Sequence, residues 1–338
     1  MAVIDAALGR PGVDSLMAQL RDASASGRTV ELRGNGSVLD RMAPGSATPV
    51  PTLELAGLTG VIEYEPSDLV ITVGAAMSVT ELDAILAANG QECPLDDPTG
   101  ASTVGGRVAT ALAGIRQLGV GPVRDWVLGV GFITGEGTLR RGGGRTVKNV
   151  TGFDVPRLLC GSWGTLGAIV DVTLRVRPRP RWSGWFVGEG RLSQERLAGL
   201  HAPSAVLVGP STSHVLLEGH PEDATDQARA AGLRPADAPV VPGPARCAVP
   251  VADLPELLTR LPRSGWLAQW GVGTVHLDDP GVLRDLGTSD LDGRIRRLHL
   301  DGSDEPDLAR TPGNADMHRR LRQAFDPYGV LAPWRFPV

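Results

Sequence analysis

The sequence predicts an α+β protein, and three observations predict it. Short runs rich in β-branched and apolar residues recur between turns that carry Gly and Pro. Well-signalled helices are interspersed among them. Beyond residue 181 strand-like "WSGWFVG", "SAVLVG" and "HVLLEG" alternate with helix-like stretches at 193–200 and 222–231. With 338 residues, 42% of them hydrophobic, the chain is long enough for two domains with a sizeable core.

In chain order, Val13, Leu16, Met17 and Leu20 recur at helical spacing, so a helix is expected over 13–26. "TVEL" is a short strand that runs straight into Gly34-Asn35-Gly36-Ser37. "GVIEYE" and "LVITVGA" are strands parted by a Pro66-Ser67-Asp68 turn. In "MSVTELDAILAANG" Ser78 caps a helix, Glu81 stands three residues later, and Gly90 ends it. "ASTVGGRVATALAG" is a glycine-bearing turn that opens a small-residue helix. "DWVLGVGFITGEGTLRR" is a hairpin, and "LGAIVDVTLRVRPRP" is a long strand that closes a first domain near Pro178. "LPELLTRL" then predicts a helix, "WLAQWGVGTVHL" a strand, and Met317–Phe325 a last, basic-faced helix.

Bulk properties exclude several functions. The net charge is −5 with no basic block, which argues against a nucleic-acid partner. Cys93, Cys160 and Cys247 are isolated, and neither CxxC nor paired His/Cys spacing occurs, so no metal site is expected. The opening "MAVIDAALGRPGVDSLMAQL" does not read as a secretory signal, and no run of about 20 apolar residues suggests a membrane span. A cytoplasmic protein is the expectation.

Three segments, 33–37, 99–106 and 161–167, place glycines where a strand ends or a helix begins. Backbone amides freed of side-chain bulk can point together at an anion, and a helix N-terminus adds the positive end of its dipole. One such turn is weak evidence, whereas three in one domain point to a long phosphate-bearing cofactor. Neither GxGxxG heading a βαβ unit nor GxxxxGK[ST] is present, so Rossmann and P-loop sites are disfavoured.

The ordered segments "LRGNGS", "YEPSDLVITVGAAMSVTELDAILAANGQECPL", "STVGGRVATALAG", "GPVRDWVLGVGFITGEGTLRRGG" and "VKNVTGFDVPRLLCGSWGTLGAIVDVTLRVRPRP" resemble the FAD-linked oxidase family, whose FAD domain is of the vanillyl-alcohol-oxidase or PCMH type. The resemblance covers about residues 28–180, and the "MHRRLRQAFDPYGVLAPWRF" segment resembles the family's closing helix. It implies a PCMH-type FAD-binding domain of two α+β subdomains over 1–180. A small, reduced α+β cap over 181–265 would follow, and a segment over 266–338 would return to the FAD domain. Non-covalent FAD would be held by a first loop (Arg33, Gly34, Asn35, Gly36, Ser37) and a second (Ser102, Thr103, Val104, Gly105, Gly106). Gly167 and the backbone of Ile169 would meet the cofactor at the end of the long strand, with Lys148, Asn149 and Asp154 as a polar wall.

Several residues carry two readings. Lys148 either lends positive charge near the flavin or pairs with Asp154 to hold the loop. Asp154 reads as a capping or loop-locking carboxylate rather than a base. Ser37 stands where relatives with covalently attached FAD carry His. Cys160 reads as a small buried hydrophobe, and His276 either approaches the flavin or is a satisfied structural histidine. No catalytic residue is assigned. The chain has no HxxGxxH motif and a short cap stretch, unlike members that oxidise 2-hydroxy acids themselves. The resemblance therefore implies an FAD-binding subunit of a glycolate-type 2-hydroxy-acid oxidase or dehydrogenase. Its partners would be a catalytic FAD-containing hydroxy-acid oxidase subunit and an iron–sulfur subunit, with at most peripheral membrane association through them. A stand-alone FAD-dependent oxidase of a small alcohol or hydroxy acid, and a scaffold that has lost FAD, are the alternatives.

Overall fold

A computed structural model describes residues 10–41, 49–97, 100–145, 153–286, 295–299 and 314–336. The first helix, α1 (Pro11–Ser26), starts on a proline that needs no helical acceptor and ends where Gly27 turns left-handed at φ +65°. It buries Val13, Leu16, Leu20 and Ala23, the stripe that the spacing predicts. Strands β1 (Glu31–Arg33) and β2 (Thr52–Glu54) pair in parallel beside it.

A second subdomain follows. Strands β3 (Val61–Glu65) and β4 (Val70–Gly74) are joined by the predicted turn at Pro66–Asp68. Helix α2 (Val79–Ala87) starts on Ser78, whose Oγ accepts from the Glu81 amide at 3.1 Å. After β5 (Gln91–Glu92) comes α3 (Val104–Thr110), then the single turn α4 (Gln117–Val120) and the hairpin β6 (Val127–Ile133) and β7 (Leu139–Gly143). The short α5 (Val155–Leu159) leads into β8 (Ala168–Arg175) and β9 (Arg177–Pro178). The result is a five-stranded antiparallel sheet in the order β3-β4-β8-β6-β7, with β8 in the middle. One face packs against α2 and α3 through Leu82, Leu86, Val104 and Val108. Burying such aliphatic side chains contributes roughly 1.5–3 kcal/mol each.

The small-residue helix is shorter than its composition suggests. Ala111 adopts φ +52° and closes α3 at Thr110, so Ala113 and Gly114 lie beyond it.

The remainder builds a second sheet. Its elements are β10 (Ser183–Glu189), α6 (Gln194–Ala198), β11 (Ala205–Val208), β12 (Thr212–Glu218), α7 (Pro221–Ala230), β13 (Arg234–Ala236), β14 (Ala245–Ala248), α8 (Leu254–Arg260), β15 (Trp266–Gln269), β16 (Thr274–Leu277), α9 (Gly281–Leu286) and β17 (Arg296–His299). Among the described residues the strand order is β13-β10-β12-β11-β15-β16-β14-β17. The boundary expected at 265/266 falls inside this sheet. The strand expected over "WLAQWGVGTVHL" is in fact a hairpin, because Gly271 and Gly273 are left-handed (φ +77° and +88°) and reverse the chain between β15 and β16. These two strands join β11 to β14 at the centre of the sheet, so β15, β16 and β17 share one sheet with β10 to β14.

Among the described residues after 299, α10 (Ala315–Phe325) and the segment after it return to the first domain. Phe325 stacks on Phe132 with ring centroids 5.7 Å apart. Val330 and Leu331 join the α1 core, where the Val30 amide donates to Val330 O at 2.8 Å.

Candidate cofactor cleft

The first two glycine-rich loops face one another. The strand β1 delivers 34–37, and the chain before α3 delivers 102–106. Asn35 Nδ2 donates to Ala101 O at 3.4 Å, and Ser37 Oγ lies 3.3 Å from Ser102 Oγ. Thr103 caps α3, its Oγ1 accepting from the Gly106 amide at 3.1 Å. A Cβ at Gly34 or at Gly106 would stand 2.9 Å from that same Oγ1. The two glycines therefore let the loops close on the capping hydroxyl.

Between the loops lies a cleft of about 780 Å³, counting the part open to solvent. Gly34, Asn35, Gly36, Ser37, Ser102, Thr103, Gly105, Gly106, Gly167 and Ile169, all expected from the sequence, line it. Among the described residues the amides of Gly34, Asn35, Gly36 and Ser37 donate to no protein acceptor. Free backbone donors of this kind are what anion-binding nests are built from. Gly36 suits this turn because its φ is +71°, a left-handed conformation that favours glycine.

Five of the expected cofactor residues sit elsewhere or are not described. Arg33 is outside the cleft wall; it pairs with Asp40 (Nη2–Oδ2 2.6 Å) and Glu54 (3.7 Å) and so braces the loop. Val104 is fully buried in the core, its amide bonded to Met77 O at 2.9 Å. Asp154 is exposed and does not line the cleft; its Oδ1 accepts from the Arg157 amide at 3.2 Å and caps α5. Lys148 and Asn149 lie outside the described residues. Gly105 does line the cleft, but its Cβ would meet Ala75 Cβ at 2.7 Å and Ala75 O at 2.9 Å, so close helix packing also requires glycine there.

Other wall residues carry no local signal. Leu32, Val38, Leu39, Leu55, Ala75 and Ala76 give an apolar side. Arg107 is a buried cation whose Nε and Nη2 donate to Leu95 O at 3.1 and 2.9 Å; burial lowers its pKa. Trp163 and Arg335 complete the wall from the 161–167 loop and the segment after α10. The "GGRV" of α3 offered one hint, an arginine among small residues, but nothing local separates it from a solvated one.

The second sheet turns one face toward this domain. Ile115 packs against Leu207, Leu216 and Leu267 of that face, whereas α7, α8 and α9 cover the other. On the inward face Arg246 stands opposite His276 in register, and His276 Nε2 is 2.9 Å from Gln269 Nε2. Burial and the charge of Arg246 push His276 down to about 3, so it is neutral at physiological pH. Burial and the charge of Arg107 bring Arg246 down to about 10. Among the described residues no carboxylate pairs with Arg246. The charge of Arg107 thus acts on Arg246 across the two domains, while Asp97 and Asp96 offset the charge of Arg107 itself.

An ion cluster fixes this face in place. Arg116 reaches Glu92 at 3.1 Å, Asp96 at 2.6 Å and Glu218 at 3.2 Å. Arg177 contacts Glu92 and also Glu218, at 3.0 Å. Glu218 ends β12, so the cluster bridges the two domains. Among the described residues no group of three His, Cys, Asp or Glu is disposed to hold a metal, and no helix is long and apolar enough to cross a membrane.

Comparison with known proteins adds the following. Residues 12–143 match the FAD binding domain family. The chain is 37% identical over 173 residues to glycolate oxidase subunit GlcE of Escherichia coli, covering 50% of this chain and 48% of that protein. It is 33% identical over 176 residues to a D-2-hydroxyglutarate dehydrogenase of Xanthomonas citri, covering 52% of this chain and 37% of the relative. The chain thus matches about half the length of these relatives, or less. In three dimensions it resembles alkyldihydroxyacetonephosphate synthase with a TM-score of 0.65 at 13% identity, over 94% of this chain and 73% of that one, a likeness of fold alone.

Proposed function

We propose that this protein is the FAD-binding subunit of a glycolate-type 2-hydroxy-acid oxidase or dehydrogenase, a reading supported by the match of residues 12–143 to the FAD binding domain family. A catalytic flavoprotein and an iron–sulfur protein would complete the assembly. One observation carries the reading: the 34–37 and 102–106 loops, 65 residues apart at Ser37 and Ser102, converge on a single cleft with four unengaged amides. Identity to subunit GlcE over half the chain supports the choice of assembly.

The cleft suits FAD. The free amides of 34–37 offer donors for a pyrophosphate. Leu32, Leu55 and Ala75 offer an apolar side for a ring system. Ser37 would leave the cofactor non-covalently held. Bound there, the flavin would supply hydride or electron acceptance, while the chain sets its position and surroundings. The chain's own part is to hold the phosphates with amides and to exclude water with the apolar wall. Arg107 keeps a fixed positive charge beside Ala109 and Thr110.

Arg246 favours a second reading, in which the chain itself takes up a small organic acid. A carboxylate between the domains would find an unpaired guanidinium beside a neutral imidazole. One experiment separates the two. The absorption spectrum of the pure, FAD-loaded protein is recorded before and after adding glycolate or D-lactate. The subunit reading expects a flavin spectrum that bleaches only when partner subunits are present. Bleaching by the isolated chain supports the second reading, and a protein that stays colourless after incubation with FAD overturns both.

A further inference from the structure

The cofactor cleft is not closed by the FAD-binding domain's own loops. Arg335 comes to its wall from a segment 172 residues after Trp163 and 304 after Glu31. Its guanidinium is buried, donating from Nη1 to Trp163 O at 2.9 Å and from Nη2 to the Glu31 carboxylate. Both Trp163 and Arg335 line the cleft.

The backbone at this joint is strained. Trp163 (φ +53°), Ala332 (φ +38°) and Phe336 (φ +49°) are all left-handed without being glycine. Such conformations persist only where the surroundings hold them, and they gather at ligand clamps. Here the surroundings are specific. Asp326 accepts from the amides of Val330 at 3.0 Å and Leu331 at 2.8 Å. Arg322 donates to Leu331 O at 2.9 Å and Arg335 O at 3.0 Å. The Trp163 amide is anchored on Ala109 O at 2.8 Å, beside the cleft floor. The 326–336 segment is therefore a strap tied at its base, whose far end grips the cleft wall.

We propose that Arg335 is a cofactor-positioning residue, which pins the 326–336 strap to Trp163 and Glu31 as a wall of the FAD cleft, so that strap docking and cofactor binding strengthen each other. This rests on the reading that the cleft holds FAD. If both events favour one arrangement, each raises the affinity of the other by the same factor.

The test uses the full chain stripped of flavin. FAD affinity is measured from flavin fluorescence for the wild type, Arg335→Ala and Arg335→Lys, and amide exchange is followed over 330–336 with and without FAD. Arg335→Ala is expected to weaken FAD binding about tenfold, the scale of one charge-assisted contact. Arg335→Lys, which keeps the pairing with Glu31, should recover part of the loss. Added FAD should slow exchange at Leu331 and its neighbours in the wild type and not in Arg335→Ala. Should Arg335→Ala fail to fold, Glu31→Gln removes the same pairing and is read identically. Affinities within twofold of wild type, or exchange in 330–336 that FAD leaves unchanged, overturn the strap alone. A wild-type chain that takes up no FAD overturns the cleft reading and the strap together.

Discussion

Gly105 shows how one residue answers to two demands. The sequence suggests glycine there so that backbone can approach a phosphate; the structure adds Ala75, 2.7 Å from where a Cβ would stand. The Gly105 amide also donates to Ala75 O at 2.7 Å, tying α3 to the turn after β4. Gly105→Val is therefore expected to lower stability by about 2 kcal/mol through overpacking, and to lower flavin content with it. Thermal unfolding of the flavin-free variant checks the first and bound-flavin absorbance the second. A variant with unchanged melting temperature that fails to bind FAD would return the site to the simpler phosphate-space account. Arg33 teaches the converse. Its position beside the loop made it a cofactor candidate, yet Asp40 and Glu54 occupy its guanidinium.

At the scale of elements, caps were legible and reach was not. Ser78 with Glu81 is a local pattern, and α2 starts where that hydroxyl accepts the Glu81 amide proton; Thr103 likewise caps α3, a role that its place in the second loop did not announce. The end of α3 was not legible, because Ala111 turns left-handed under tertiary contacts: the amides of Gly161 and Trp163 dock on the carbonyls of Val108 and Ala109. Asp154 gives an element-scale test. It caps α5 and pairs with Arg157 at 3.5 Å, on an exposed surface apart from the cleft. Asp154→Ala should lower stability by about 1 kcal/mol, the worth of an N-cap, with FAD affinity unchanged. Flavin titration showing a several-fold loss would restore Asp154 to the cofactor wall.

For the whole molecule, the decisive feature is the joint between the sheets. Arg116 and Arg177 each contact Glu92 and Glu218, and Asp96 adds a third carboxylate to Arg116. Arg116 is 19% exposed and Glu218 11%, so the charges are largely out of water. Removing one partner leaves the others buried and under-compensated. Glu218→Gln is expected to cost about 3 kcal/mol in urea unfolding. It should also loosen the inward face that carries Arg246 and His276, while leaving FAD uptake by the first domain intact. A loss below about 0.5 kcal/mol, the scale of an exposed pair, would mean that the cluster does not set the arrangement of the domains.

Within reach of local pattern, the sequence alone determined the α+β class, the capped helices, the paired strands and the two loops that meet at the cleft. Those follow from side-chain periodicity and from backbone freedom at glycine, which act over a few residues. It could not place the sheet boundary beyond 299, because β14 to β17 become neighbours only through pairing across long stretches of chain. Nor could it place Arg335 against Trp163, Arg246 opposite His276, or Arg116 among three carboxylates. A buried charge is tolerated only beside partners that folding brings to it, so its role is decided in three dimensions.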